Sequence, residues 1–208
     1  LKLGQSSFNG LWTAAGTIVE ECNSELRWPQ CMHTYKKMAK DATIAPALNL
    51  VEMAIARVPW SVKIPEGYEE QLKDKAEFLR QVMNDMDHSW GSFIRQATSF
   101  NRFGFAPIEK VYRKRYKKSG SKFDDGLVGI KSLPLIAQDT VSSWEWQEGG
   151  RELAGLNQYA VEPNGKRGVM TSSWKEEFIP VKKFMLIRNN PLKNNPEGES
   201  PLKSVYMA

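Results

Sequence analysis

Three acidic pairs are the first candidates for chemistry: Asp85/Asp87, Asp124/Asp125 and Glu176/Glu177. Paired carboxylates hold Mg²⁺ in nucleases and packaging motors, where the metal steadies a phosphate and activates water. Asp85 and Asp87 fall at the end of a predicted helix, on different faces. The other two pairs are adjacent residues in polar turns, so their side chains diverge, and nothing around any pair supplies a base or a phosphate clamp. All three read as solvated surface. His33 and His88 are the only histidines, and neither has a Cys or carboxylate at metal-ligand spacing. Cys22 and Cys31 give no zinc quartet and no disulfide framework; two free, mostly buried thiols in a reducing compartment are expected. No GxxxxGK[ST] or GxGxxG loop is present to cradle a phosphate, and Gly149-Gly150 is better explained as a hairpin turn. No catalytic, cofactor-binding or metal-binding set emerges, so neither enzymatic activity nor a cofactor is expected.

One segment has electrostatic character: Lys110, Arg113, Lys114, Arg115, Lys117, Lys118 and Lys122. On a strand, Ile108, Tyr112 and Tyr116 share a face with Lys110, Lys114 and Lys118. Aromatics interleaved with cations suit stacking on bases and neutralising phosphates. Lys110, Arg113, Lys114, Arg115, Lys117 and Lys118 are therefore candidate contacts to DNA or to an acidic protein surface. The competing reading is a surface hairpin whose long cationic stems lie over tyrosines, balanced by Asp124 and Asp125 beyond the turn. A net charge of +5 favours an acidic partner without proving nucleic-acid binding. Trp144 and Trp146 are two apart, so on a strand both point the same way, into the core or toward a neighbouring subunit.

These residues need elements to position them. Residues 1–40 are mixed, with Leu11 to Leu26 compatible with a helix and Arg27–Gln30 a break. Asp41 or Thr43 can cap a helix whose stripe is Ile44, Leu48, Val51, Ile55 and Val58, ending at Pro59. Trp60–Ile64 alternates like a short strand. A second helix starts near Tyr68 with Leu72, Ala76, Leu79, Met83 and Met86 on one face, and breaks around Asp87–Ser89. Ser89 caps a third, with Phe93, Ile94, Ala97 and Phe100 buried and Gly104 as the left-handed stop. Beyond Gly104 the pattern turns extended: 105–116, 127–136, a hairpin of 142–147 and 152–161, a turn at Pro163-Asn164-Gly165, and a strand over 178–187. The plan is α+β, N-terminal helices followed by a small antiparallel β-sheet. It divides into an N-terminal extension (1–40), a helical part (41–104), an antiparallel β part (105–190), and a loop entering a further helix (191–208).

The chain has 208 residues, 41% of them hydrophobic, enough for a folded core. No apolar run approaches the ~20 residues that span a bilayer, and no leader-like segment opens the sequence. A soluble, intracellular protein is expected. Residue 1 is Leu rather than Met. At the other end Ser200-Pro201 begins a helix whose face is Leu202, Val205 and Tyr206, and the sequence stops at Ala208. The expectation is a piece of a larger structural protein, cut inside a long helix.

Three segments in this order resemble the portal (head–tail connector) proteins of tailed bacteriophages. Met38-Ala39-Lys40-Asp41-Ala42-Thr43-Ile44-Ala45-Pro46-Ala47-Leu48, running to Trp60-Ser61-Val62, is similar to that family's Met-x-x-Asp-x-x-Ile-x-x-x-Leu…Trp-x-Val pattern. Phe103-Gly104-Phe105, with Glu109-Lys110-Val111, is similar to its helix-to-strand turn. Pro180-Val181-Lys182-Lys183-Phe184, followed by Pro196-Glu197-Gly198-Glu199-Ser200-Pro201-Leu202, resembles the segment entering its next long helix. The resemblance covers roughly residues 35–208. It implies the wing-like region of a non-enzymatic subunit in a homo-oligomeric ring, usually of twelve, at a capsid vertex of the virion and assembled in the host cytoplasm. Such a ring passes double-stranded DNA during packaging and ejection. It meets the major capsid protein, the terminase large subunit, and head–tail adaptor and tail proteins. On that view Trp144 and Trp146 are candidate subunit contacts, and the basic set contacts capsid or DNA. A free-standing nucleic-acid-binding module using strand 108–118 is the alternative.

Overall fold

The computed structural model describes residues 9–148, 152–161 and 174–206. Where a helix was compatible with Leu11–Leu26, the chain instead forms a tight hairpin, β1 (Thr13–Ala14) and β2 (Thr17–Ile18), then a single 3-10 turn. Ala15 and Gly16 both take left-handed backbone angles, φ 49° and 76°, the geometry of a two-residue hairpin turn rather than a right-handed helix. After the Arg27–Gln30 break comes α1 (Cys31–Met38).

Helix α2 (Ile44–Ala56) forms where predicted. The Asp41 carboxylate accepts from the backbone N–H of Thr43 at 2.8 Å and of Ile44 at 3.2 Å, meeting two of the free donors of a first turn. Trp60–Ile64 makes no strand; the Val62 carbonyl accepts from the Arg80 guanidinium at 3.1 Å instead. Helix α3 (Glu69–Asp85) ends where Met86 turns extended. Helix α4 (Trp90–Ala97) is capped by the Ser89 hydroxyl, which accepts from Ser92 N–H at 3.1 Å. The one-turn α5 (Phe100–Phe103) closes on Gly104 at φ 91°, as the glycine stop requires.

The β half runs β3 (Phe105–Glu109), β4 (Val111–Lys114), β5 (Val128–Ser132), β6 (Val141–Trp146), β7 (Leu153–Val161), β8 (Trp174–Pro180) and β9 (Phe184–Arg188). All pairings are antiparallel. Instead of one small sheet there are several: β1–β2, β3–β9, β4–β5 and β6–β7–β8. Two segments read as single strands are each split between sheets. The 105–116 segment changes partner at Lys110, from β9 to β5. The 178–187 segment is broken by Pro180 and a 3-10 turn at Val181–Lys183, carrying the chain from β8 to β9. The β6–β7 hairpin strands are present; their Gly149-Gly150 turn and the Pro163-Asn164-Gly165 turn lie outside the described residues. Among the described residues the C-terminal helix α6 is short, Leu202–Tyr206, and the expected long helix is not borne out. Ser200 Oγ accepts from Leu202 N–H at 3.1 Å, and Leu202 is buried in the main core.

The main core draws on both ends of the chain and on the strands between: Leu11, Trp28 and Tyr35 from the N-terminal stretch, Leu48 of α2, Phe105, Trp144, Leu156 and Phe184 from the strands, and Leu202. Phe105 stands edge-on between Trp28 and Trp144, at centroid distances of 5.4 and 5.5 Å, an orientation aromatic quadrupoles favour. A second cluster, Met86, Phe93, Ile94, Ala97, Ile108 and Leu133, joins α4 to β3 and the loop after β5.

Candidate functional site

The cationic segment lies on β4 and the turn that follows it, and the strand's two faces have different fates. Arg113 and Arg115 point inward toward α3. Arg115 is fully buried, donating to Gln81 Oε1 at 2.9 Å and pairing with Asp125 at 3.0 Å. Its guanidinium lies 4.0 Å from the Phe123 ring centroid and 5.1 Å from that of Phe78, a desolvated cation–π sandwich. Arg113 pairs with Asp87 at 2.7 Å and Asp85 at 3.4 Å, and also donates to the Asp85 carbonyl. These two arginines are struts between sheet and helix, closed to any outside phosphate. Lys114, Lys117 and Lys118 are exposed and Lys110 is half-buried. Lys118 lies over the Tyr116 ring at 5.5 Å, the snorkelling arrangement of a surface hairpin.

Of the acidic pairs, Asp85 and Asp87 converge on the Arg113 guanidinium, whereas Asp124 and Asp125 serve different partners. Buried Asp85 accepts from Ser121 Oγ and from Lys122 N–H, both at 2.7 Å. Burial pushes its carboxyl up, but the Lys122 N–H, the Ser121 hydroxyl and Arg113 together hold it below the ordinary carboxylate value. Asp125 serves Arg115, Asp124 accepts from the Lys117 backbone at 3.4 Å, and Glu176 meets the Ser142 hydroxyl across the sheet. Glu176 and Glu177 lie on β8 rather than in a turn. Among the described residues no group of three or more His, Cys, Asp or Glu is placed to hold a metal ion. His33 is exposed, and His88 Nε2 accepts from Leu133 N–H at 3.3 Å. Cys31 is buried, with its thiol pushed up to about 12 by burial, whereas Cys22 is exposed, contrary to the expectation of two mostly buried thiols.

Trp144 has no exposed surface and lies in this chain's own core. Its Nε1–H donates to Glu197 Oε1 at 3.1 Å. Trp146 is partly buried against the same cluster. Glu197 borders a cavity of about 220 Å³, with Cys31, Tyr35, Glu21 and Lys203 also on its walls. Burial raises the Glu197 carboxyl to about 7, opposed by the Trp144 hydrogen bond. The segment carrying it docks on Gly104. Asn189 N–H donates to Gly104 O at 2.8 Å, Ser200 Oγ donates to Arg102 O at 2.6 Å, and Gly198 takes φ 56°. A Cβ on Gly104 would stand 2.6 Å from the Glu197 carbonyl. Sequence reasoning passed over Glu197, since an acid between Pro196 and Gly198 reads as a solvated turn. The arginine struts had a signal in the strand alternation, because 113 and 115 lie on the face opposite 110, 112 and 114.

Residues 32–208 match the family model described as the portal protein of Mu bacteriophage, and the chain belongs to this family. The match takes in nearly all of α1 and every later element. Portal families are structural, and membership implies a homo-oligomeric, capsid-associated assembly. No curated protein matches the chain. Among the described residues no helix is long and apolar enough to cross a membrane.

Proposed function

We propose that this chain forms the wing-like part of a portal subunit that closes into a ring, usually of twelve copies, at one capsid vertex. The ring is the conduit for double-stranded DNA during packaging and ejection. It seats against the major capsid protein, docks the terminase large subunit, and later receives head–tail adaptor and tail proteins. The observation that carries this reading is the family match over 32–208, falling on one α+β frame in which helices 44–103 and the strands from 105 onward share two cores. A closed ring needs two different complementary faces on each copy. The test is native mass and negative-stain imaging of the full-length parent protein. A closed ring of roughly a dozen copies is expected, as for symmetric homo-oligomers; a stable monomer at high concentration overturns the reading.

A further inference from the structure

Helix α2 carries apolar side chains on its exposed side as well as on its buried one. Leu48 is buried, Ile44 and Ile55 pack against the two cores, and on the same side Arg102 grips Glu52 at 2.5 and 2.8 Å while also donating to exposed Asn49 at 2.9 Å. Its outward side is largely apolar, with exposed Asn49 and Arg57 as its polar members. Leu50 is 67% exposed, Met53 50% and Val51 46%, and Val58 and Trp60 continue the exposed apolar surface beyond the helix end at 50% and 51%. Ala47 and Ala54 are exposed along the same helix. A helix that is apolar on nearly every side belongs in an interior.

We infer that this outward face of α2 is covered by a second copy of the chain in the assembled ring. The inference rests on the portal reading and assigns one of the two faces that the ring requires. Three observations choose the occupant. The family assembles from identical copies. Half-exposed Leu50, Val51, Met53, Val58 and Trp60 together present on the order of 500 Å², as large as the largest apolar patch on a typical monomer, and such patches mark interaction sites. That is a good part of the ~800 Å² each partner gives to a stable interface, and Arg57 is the one charged residue along it, in keeping with interfaces that are depleted in Lys, Glu and Asp but not in Arg. A bilayer fits poorly, because 13 residues make a helix of only about 20 Å, short of the ~30 Å hydrocarbon core.

The experiment uses the full-length protein in a Cys22→Ser background, because Cys22 is exposed and would otherwise react. Leu50→Cys is treated with a maleimide before and after dissociating the ring. The expected result is loss of labelling in the ring and its recovery on dissociation. A control cysteine replacing exposed Lys118 reports the general accessibility of a surface thiol. In parallel, Leu50→Asp/Met53→Asp is expected to yield monomers whose circular dichroism and Tm match dissociated wild type. Labelling of the Leu50→Cys thiol in the intact ring, or normal rings from the double aspartate variant, overturns the inference while leaving the portal reading standing. Protection of that thiol in the dissociated monomer also overturns it, since the parent chain itself would then cover the face. A wild-type protein that never forms a ring overturns both.

Discussion

Glu197 shows how much a single side chain's setting matters. Its carboxyl normally titrates near 4.5 and is raised to about 7 by burial beside Trp144. A raised carboxyl means that the folded state holds the proton more tightly than the unfolded chain. Stability is therefore greatest below the ordinary value, falls as pH rises from about 4.5 to 7, and carries the full penalty above that. Replacing Glu197 with Gln keeps an oxygen for the Trp144 N–H and removes the charge. The variant should match wild type in Tm at low pH and exceed it above about pH 7, with a ceiling of about 3 kcal/mol set by the size of the shift. Urea denaturation at about pH 4 and about pH 8, on either side of the shifted carboxyl, measures this; equal stability differences at the two values would rule it out.

Among the elements, α5, β3 and the 189–200 segment meet in a close junction at Gly104. Gly104 supplies a left-handed backbone angle, accepts a hydrogen bond from Asn189, and leaves room for the Glu197 carbonyl. Alanine at this position meets both strain and collision, so Gly104→Ala should cost about 2–4 kcal/mol, combining an unfavourable positive φ with a displaced segment. The loss should appear as a lower urea midpoint, along with faster proteolysis between residues 189 and 200 as that segment undocks. A change below about 0.5 kcal/mol, ordinary for a surface substitution, would mean that the segment adapts without cost. Gly104 was readable in the sequence as a helix stop; that it also seats a chain segment nearly a hundred residues away was not.

For the whole molecule, the free lysines offer a measurable consequence. Lys114, Lys117 and Lys118 remain exposed while Arg113 and Arg115 are committed to α3. If the assembled protein meets DNA backbone through this hairpin, each phosphate contact adds about −0.9 to the slope of log K against log salt. Lys114→Ala/Lys117→Ala/Lys118→Ala in the assembled protein should then flatten that slope by up to about 3. An unchanged slope assigns these lysines to protein contacts or to solvent.

The sequence by itself determined the local features. Asp41, Ser89 and Gly104 mark helix starts and a stop because caps and left-handed glycines act within a few residues of themselves. The α+β order, the β6 and β7 strands, and the portal resemblance later matched by the family model were legible for the same reason. Tertiary structure decided whatever depended on partners far along the chain. It divided the 105–116 and 178–187 segments between sheets, since a ladder exists only where a second strand arrives. It turned α2 so that Glu52 faces Arg102, fifty residues on, and left Leu50 and Met53 outward. It also sorted the cationic strand, tying Arg113 and Arg115 to carboxylates on α3 and around it and leaving Lys114 in solvent. Alternation along a strand separates two faces, but only the packing of the remaining chain decides which of them is closed.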